Sequence, residues 1–191
     1  MLALIILVAV AALSLCCGGR LRYLERFELR SVWLAFAAFG IQLLIFNDKG
    51  EEILGRMLPL AYVATLAIMV VFLLKNRRVT GIPVLLAGLV LNLLVIGANG
   101  GYMPVRPEAL RQVGQQDEAE QLIQEGKAAN CILMTDKTHL NILGDYIVLP
   151  LVGSLGSAYS PGDLVALVGE AVLVFFMVRP GKSDAIGAIH D

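Results

Sequence analysis

The chain has 191 residues, of which 58% are hydrophobic and 16% are charged, and its formal net charge is −1. Soluble domains are closer to half apolar and a quarter charged, so the composition indicates an integral membrane protein. The mean hydropathy of +0.76 agrees with this. A net charge near zero gives no general attraction to nucleic acid, so no nucleic-acid partner is expected.

Five apolar runs predict an all-α membrane protein with five transmembrane helices in a single membrane domain, residues 1–191. The first run has no basic residues before it, and Arg20 follows it instead of a small-residue cleavage site. We therefore expect a retained helix and not a cleaved signal peptide. The predicted spans are about residues 1–17, 31–46, 57–74, 80–98 and 164–178.

Basic residues predict the orientation, because short loops rich in Lys and Arg stay in the cytoplasm. The loops after the first and third spans and the C-terminal tail are basic, whereas the second and fourth loops are mildly acidic. This alternation predicts an N-terminus outside and a C-terminus in the cytoplasm. The basic residues are Arg20, Arg22, Arg26 and Arg30, then Lys75, Arg77 and Arg78, then Arg179 and Lys182.

The outer loop, residues 99–163, is the largest segment outside the predicted spans. Residues 107–129 predict an amphipathic helix, with Pro107 near its start and Gly114 weakening its middle. Residues 146–158 are apolar but too short to span, so they either lie in the interface or re-enter the membrane. A sixth span there would put Arg179 and Lys182 outside, against the charge bias.

Three polar residues fall at bilayer depth: Gln42, Asn92 and Glu170. Such residues face the bundle interior, where they join helices by hydrogen bonds or serve a site. We expect Gln42 and Asn92 to join helices. Glu170 follows Asp163 by two helical turns on the same face, so the two acids predict a polar cavity open to the outside. The alternative is that Glu170 is protonated, or paired with a neighbouring helix, for purely structural reasons.

A second group of candidate binding residues lies in the outer loop: Asn99, Gly100, Tyr102, His139 and Asn141. Gly100 and Gly101 permit a sharp turn that brings backbone N–H groups close to a ligand. The alternative is a helix stop with a tyrosine at the interface. For His139 the alternative is a solvated loop residue. No metal site and no cofactor is predicted.

Asp145 and Asp163 are the candidate catalytic residues. Two carboxyl groups can activate water when one is held neutral and the other is ionised. Asp145 leads into an apolar run, where desolvation raises a carboxyl pKa. Helix capping is the alternative for both residues: Ser160, Pro161 and Asp163 fit a capping box, and Asp145 can likewise cap a short helix.

The sequence resembles an uncharacterised family of small bacterial multi-pass membrane proteins that is known as a domain of unknown function. The resemblance rests on residues 99–107 (NGGYMPVRP), 143–150 (LGDYIVLP) and 159–169 (YSPGDLVALVG). It implies a multi-pass protein of the bacterial inner membrane and implies no activity.

A local resemblance to lipoprotein signal peptidase covers the surroundings of Asp145 and Asp163. Gly144-Asp145-Tyr146-Ile147 is similar to the first catalytic run of that family, and residues 160–163 are similar to the second. The resemblance implies an aspartyl dyad at the outer surface. Ser160 replaces the family's asparagine, and five spans replace its four.

The sequence leaves three functions open. The first is an outward-facing polar site that binds membrane lipids, a peptide or a protein partner. The second is an aspartyl-dyad membrane hydrolase. The third is an accessory subunit of a larger membrane complex, which would need no site of its own.

Overall fold

The computed structural model describes residues 2–26, 28–47, 53–149 and 157–179, and the chain is mostly helical. The five long helices agree with the five predicted apolar runs to within about three residues. Each of the last three carries a proline in its first turn, where the missing N–H costs little. The long helices are α1 (Leu2–Cys16), α2 (Val32–Ile45), α3 (Leu58–Lys75), α4 (Ile82–Ala98) and α7 (Pro161–Met177).

The long helices pack in a row, with α7 between α1 and α4 and with α3 between α4 and α2. The closest pair is α4 and α7, which meet through glycines. A Cβ built on Gly88, Gly162 or Gly169 would lie closer than 3.0 Å to an atom of the facing helix. Only glycine therefore fits at these positions without moving the helices apart.

The segments with the most basic residues meet at one end of the bundle, which we call the basic end (Arg20, Arg30, Lys75 to Arg78 and Arg179). The Arg20 N–H donates to the Val178 carbonyl at 2.7 Å. Asn76 accepts from the Arg30 N–H at 2.7 Å and donates to its carbonyl at 2.9 Å. The first loop is thus tied to the ends of both α3 and α7.

At the opposite end, the capped end, residues 99–149 fold into a small α/β unit over α3 and α4. Its strands form a three-stranded sheet in the order β1-β3-β2, with β1 and β3 parallel, and β4 pairs antiparallel with β5. Val105 and Leu122 of the unit share one hydrophobic core with Val95 of α4. The elements are β1 (Met103–Val105), α5 (Pro107–Gln112), α6 (Gln116–Glu125), β2 (Lys127–Ala128), β3 (Cys131–Leu133), β4 (Ile147–Val148) and β5 (Ala158–Tyr159).

The α/β unit corrects two sequence predictions. The predicted all-α class omits the strands of this unit. Strands of two or three residues are too short to give a periodic pattern in the sequence. The helix predicted over residues 107–129 is wrong as a single element. It breaks at Gly114 (φ 84°), and α6 ends at Gly126 (φ 74°), because glycine takes these positive φ values without strain.

The segment predicted to lie in the interface or to re-enter is described only at its two ends. Ile147 pairs with Tyr159 and Val148 pairs with Ala158. Residues 150–156 lie outside the described residues.

Among the described residues, one helical segment, Gly55–Lys75, is long and apolar enough to cross a membrane by length and composition alone. Three further apolar helical segments are shorter: Leu4–Cys16, Val32–Ile45 and Ile82–Ala98. Gln42 of α2 donates to Thr65 of α3 at 2.9 Å, which is the helix-joining role expected of it.

Candidate functional site

Asp145 is held at the edge of the three-stranded sheet by its backbone. Its N–H donates to the Pro104 carbonyl at 2.8 Å, and its carbonyl accepts from the Arg106 N–H at 3.0 Å. It therefore extends the sheet by one residue beside Val105. The side chain is not satisfied in this way: Oδ1 is buried and has no hydrogen-bond partner among the described residues.

Burial and, secondarily, the charge of Asp163 raise the pKa of Asp145 to about 8. Asp145 is therefore mostly protonated at neutral pH, in the direction that its apolar sequence context predicts. Cys131 of β3 lies near this carboxyl group. Burial, with the Asp145 charge as a smaller cause, raises the pKa of the Cys131 thiol to about 12, which disfavours the thiolate, the nucleophilic form.

Asp163 caps α7, which confirms the predicted capping box. Its N–H donates to Ser160 Oγ at 2.9 Å, and its Oδ2 accepts from the Ser160 N–H at 2.9 Å. Asn92 of α4 closes the network, because it donates to Asp163 Oδ1 at 2.6 Å and accepts from Ser160 Oγ at 2.9 Å. Both carboxyl oxygens of Asp163 therefore have partners.

No hydrogen bond between described residues links the two candidate catalytic carboxyl groups directly. The charge of Asp163 acts on Asp145, yet none of the hydrogen bonds among the described residues joins Asp145 to Asp163. The arrangement thus has one carboxyl group with a raised pKa and an unpartnered Oδ1 and one whose two oxygens are both hydrogen-bonded.

Asp163 also lines a cavity of about 310 Å³ along one face of α7, together with Glu170, Leu167 and Tyr159 of β5. The predicted pair of acids on one helix face is therefore brought to one cavity. Glu170 makes no hydrogen bond to any residue that the structure describes. Burial and the charge of Asp163 raise the pKa of Tyr159.

Three of the predicted binding residues hold a loop in place. Asn99 donates to the His139 carbonyl and accepts from the His139 N–H, each at 2.8 Å. Asn141 donates to the Thr135 carbonyl at 2.7 Å. The His139 side chain itself is exposed. These asparagine side chains supply hydrogen-bond partners to the backbone groups of His139 and Thr135 in the loop.

Gly100 and Tyr102 line a separate cavity of about 510 Å³ at the seam between α3, α4 and the α/β unit. Lys127 Nζ lies 3.9 Å from the centroid of the Tyr102 ring. The sequence had not singled out Lys127, or Arg56 on the same cavity. The candidate residues therefore occupy three places: the Asp145–Asp163 region with the α7 cavity, the His139 loop, and the seam cavity.

No group of three or more His, Cys, Asp or Glu side chains in the described part of the chain is placed to hold a metal ion.

The chain is similar to an uncharacterized protein of Thermotoga maritima, with 25% identity over 171 residues that cover 90% of this chain and 88% of the relative. No solved structure matches the chain. Residues 26–176 match the Family of unknown function (DUF5317). Because the match covers most of the chain, the protein belongs to this family of unknown function.

Proposed function

We propose that the protein is a multi-pass protein of the bacterial inner membrane, with five spans, its N-terminus outside and its C-terminus in the cytoplasm. The capped end faces outward, and the α7 cavity there binds a ligand. The exposed surface of the helices supports the membrane placement. On α2 alone, Phe36 is 72%, Leu44 68% and Trp33 65% exposed. Large apolar side chains exposed to this degree are typical of a lipid-facing helix.

The contacts between the helices are also of the kind found in membranes. Without a hydrophobic force between helices in lipid, association depends on close packing of small residues and on hydrogen bonds. Gly88, Gly162 and Gly169 supply the close packing. The bond between Asn92 and Asp163 supplies the hydrogen bonding between α4 and α7.

The orientation is supported by the basic end. Arg30, Lys75, Arg77 and Arg78 lie together there, and Arg179 follows α7 at the same end. Short basic segments are retained in the cytoplasm, so the capped end is assigned to the outside.

The observation that carries the binding function is the shared cavity of Asp163 and Glu170. An acidic side chain at bilayer depth is costly unless it faces a cavity or a partner. Glu170 has no hydrogen-bond partner among the described residues and lines the cavity. Two acids favour a ligand with a positively charged group, such as the amine of a peptide, of a protein side chain or of a lipid headgroup.

Paired cysteines on α7 test both parts of the proposal. In a chain whose three native cysteines are replaced by alanine, Leu167→Cys lies in the cavity and Val168→Cys lies on the outer face, where Val168 is 56% exposed. In intact cells, a membrane-impermeant thiol reagent should label position 167 and should leave position 168 unlabelled, because lipid covers it. A cationic reagent should react at position 167 faster than an anionic one, because of the nearby carboxylates.

Glu170→Gln should reduce this preference for the cationic reagent without altering the labelling pattern. Fast labelling at position 168 would show that α7 faces water and would contradict the membrane placement. Equal rates for both reagents, unchanged by Glu170→Gln, would contradict the acidic binding cavity alone.

A second candidate function, an aspartyl hydrolase that resembles lipoprotein signal peptidase, is favoured by one observation. Burial and the charge of Asp163 raise the pKa of Asp145 to about 8, and its Oδ1 has no hydrogen-bond partner among the described residues. In such a pair, the carboxylate takes a proton from an attacking water, and the neutral acid protonates the substrate oxygen. The mechanism requires one water between the two carboxyl groups, because they are not directly bonded.

A further inference from the structure

The seam cavity combines an apolar wall with a basic rim. Leu60 and Val63 of α3 and Gly97 of α4 form the apolar wall, and Leu60 is 61% exposed. The rim carries two cations, Arg56 and Lys127. None of the described residues that line this cavity is acidic, so the rim is electrostatically complementary to an anion.

The local backbone builds this cavity. Gly101 takes φ 93° and approaches Pro59 so closely that a Cβ would lie within 3.0 Å of it. This contact closes the turn after α4 and places Tyr102 beside Lys127. Gly97 has the opposite property: a Cβ there would meet nothing within 4 Å. The absence of a side chain at Gly97 therefore leaves the groove open instead of allowing helices to touch.

We propose that this seam binds an anionic phospholipid of the outer leaflet, with its phosphate at Arg56 and Lys127 and an acyl chain along Leu60, Val63 and Gly97. The volume of about 510 Å³ lies in the range of small-molecule sites. A free phosphate ion would use the rim but would leave the apolar wall without a role. The inference rests on the proposed membrane placement of α3 and α4, but not on the α7 cavity.

The experiment measures lipid bound to the purified full-length protein by native mass spectrometry, after incubation with equal amounts of phosphatidylglycerol and phosphatidylcholine. The wild-type chain should retain phosphatidylglycerol preferentially. Gly97→Leu should abolish this retention by filling the groove. Gly40→Leu is the matched control, because a Cβ at Gly40 also meets nothing within 4 Å and α2 does not line the cavity, so it should bind lipid as the wild type does.

Lys127→Gln tests the headgroup and should weaken the preference about fivefold, as expected for one basic residue near a charged lipid. Arg111→Gln, an exposed basic residue away from the cavity, should have no effect. Three results would overturn the proposal: no preference in the wild type, equal losses in Gly97→Leu and Gly40→Leu, or complete displacement of the lipid by inorganic phosphate. Any of these results refutes the lipid site alone, provided that Val168→Cys in the labelling experiment above stays unlabelled, because the membrane placement is then still supported.

Discussion

The backbone N–H and carbonyl of Asp145 are both hydrogen-bonded, whereas its side-chain Oδ1 has no hydrogen-bond partner among the described residues. Both backbone groups bond to residues of the neighbouring chain segment, Pro104 and Arg106, which fixes the direction of the Cα–Cβ bond. The carboxyl group is therefore held in a buried position with an unpartnered Oδ1. A neutral carboxyl group costs less there than a charged one.

The raised pKa of Asp145 predicts a pH dependence of stability. Its pKa rises from 3.8 to about 8 on folding. Between these values the unfolded chain has released the proton and the folded chain still holds it, so the free energy of unfolding falls as pH rises through this window and levels off above about pH 8. Asp145→Asn should remove this slope, measured as the thermal unfolding midpoint in detergent from about pH 4 to 9. Parallel curves for variant and wild type would contradict the assignment.

The same substitution, with Asp163→Asn and the double variant, tests the hydrolase function against a purely structural role of Asp163. If the pair is catalytic, each single change should abolish hydrolysis of a lipopeptide substrate, and the double change should be no worse than either alone. If Asp163 serves only as a cap, its loss should cost about 0.5–2 kcal/mol of stability and no activity should be found in the wild type.

At the scale of elements, α4 and α7 form the central pair of the bundle. Their glycines allow the two backbones to approach closely. The hydrogen bonds among Asn92, Ser160 and Asp163 fix the relative position of the two helices at the capped end. The cap of α7 and the contact with α4 therefore depend on the same side chains.

Alanine substitutions on α4 should distinguish the effect of close helix packing on stability from the effect of helix propensity. At Gly88 the added Cβ would lie within 3.0 Å of the Ala166 and Gly162 backbones, so Gly88→Ala should destabilise by about 1–3 kcal/mol through overpacking. At Gly97 it would meet nothing, so Gly97→Ala should be neutral or stabilising by up to about 1 kcal/mol. Chemical unfolding of the two purified variants compares them directly, and equal effects would contradict the proposed role of the α4–α7 contact.

At the scale of the whole molecule, the two ends of the bundle differ in construction. The basic end consists of short connections that carry arginine and lysine, whereas the capped end carries the α/β unit, the α7 cavity and the seam cavity. In the proposed orientation, the α7 cavity and the seam cavity both lie on the outer side of the membrane.

Topology mapping tests this polarity. A cysteine at Gln115, in the α/β unit, should react with a membrane-impermeant reagent in intact cells, whereas a tag fused after residue 191 should react only after the membrane is opened. The charge distribution of the loops is the physical reason. Labelling of the tag but not of position 115 would mean that the orientation is inverted.

The sequence alone predicted the five long helices, because runs of apolar residues bounded by charge, glycine and proline carry their signal locally. The cap of α7 was also predictable, since Ser160, Pro161 and Asp163 are adjacent in the chain. The raised pKa of Asp145 was predicted in direction from the apolar run that follows it.

Only the tertiary structure decided what the polar residues contact. The strands of the α/β unit are two or three residues long and depend on partners far away in the chain, so no local pattern marks them. Asn92 and Asp163 are 71 residues apart, and Tyr102 meets Lys127 only because the sheet folds back over α4. Contacts of this kind are set by packing between distant segments of the chain. For this reason, the sequence could predict neither the separation of the candidate residues into three places nor the seam cavity.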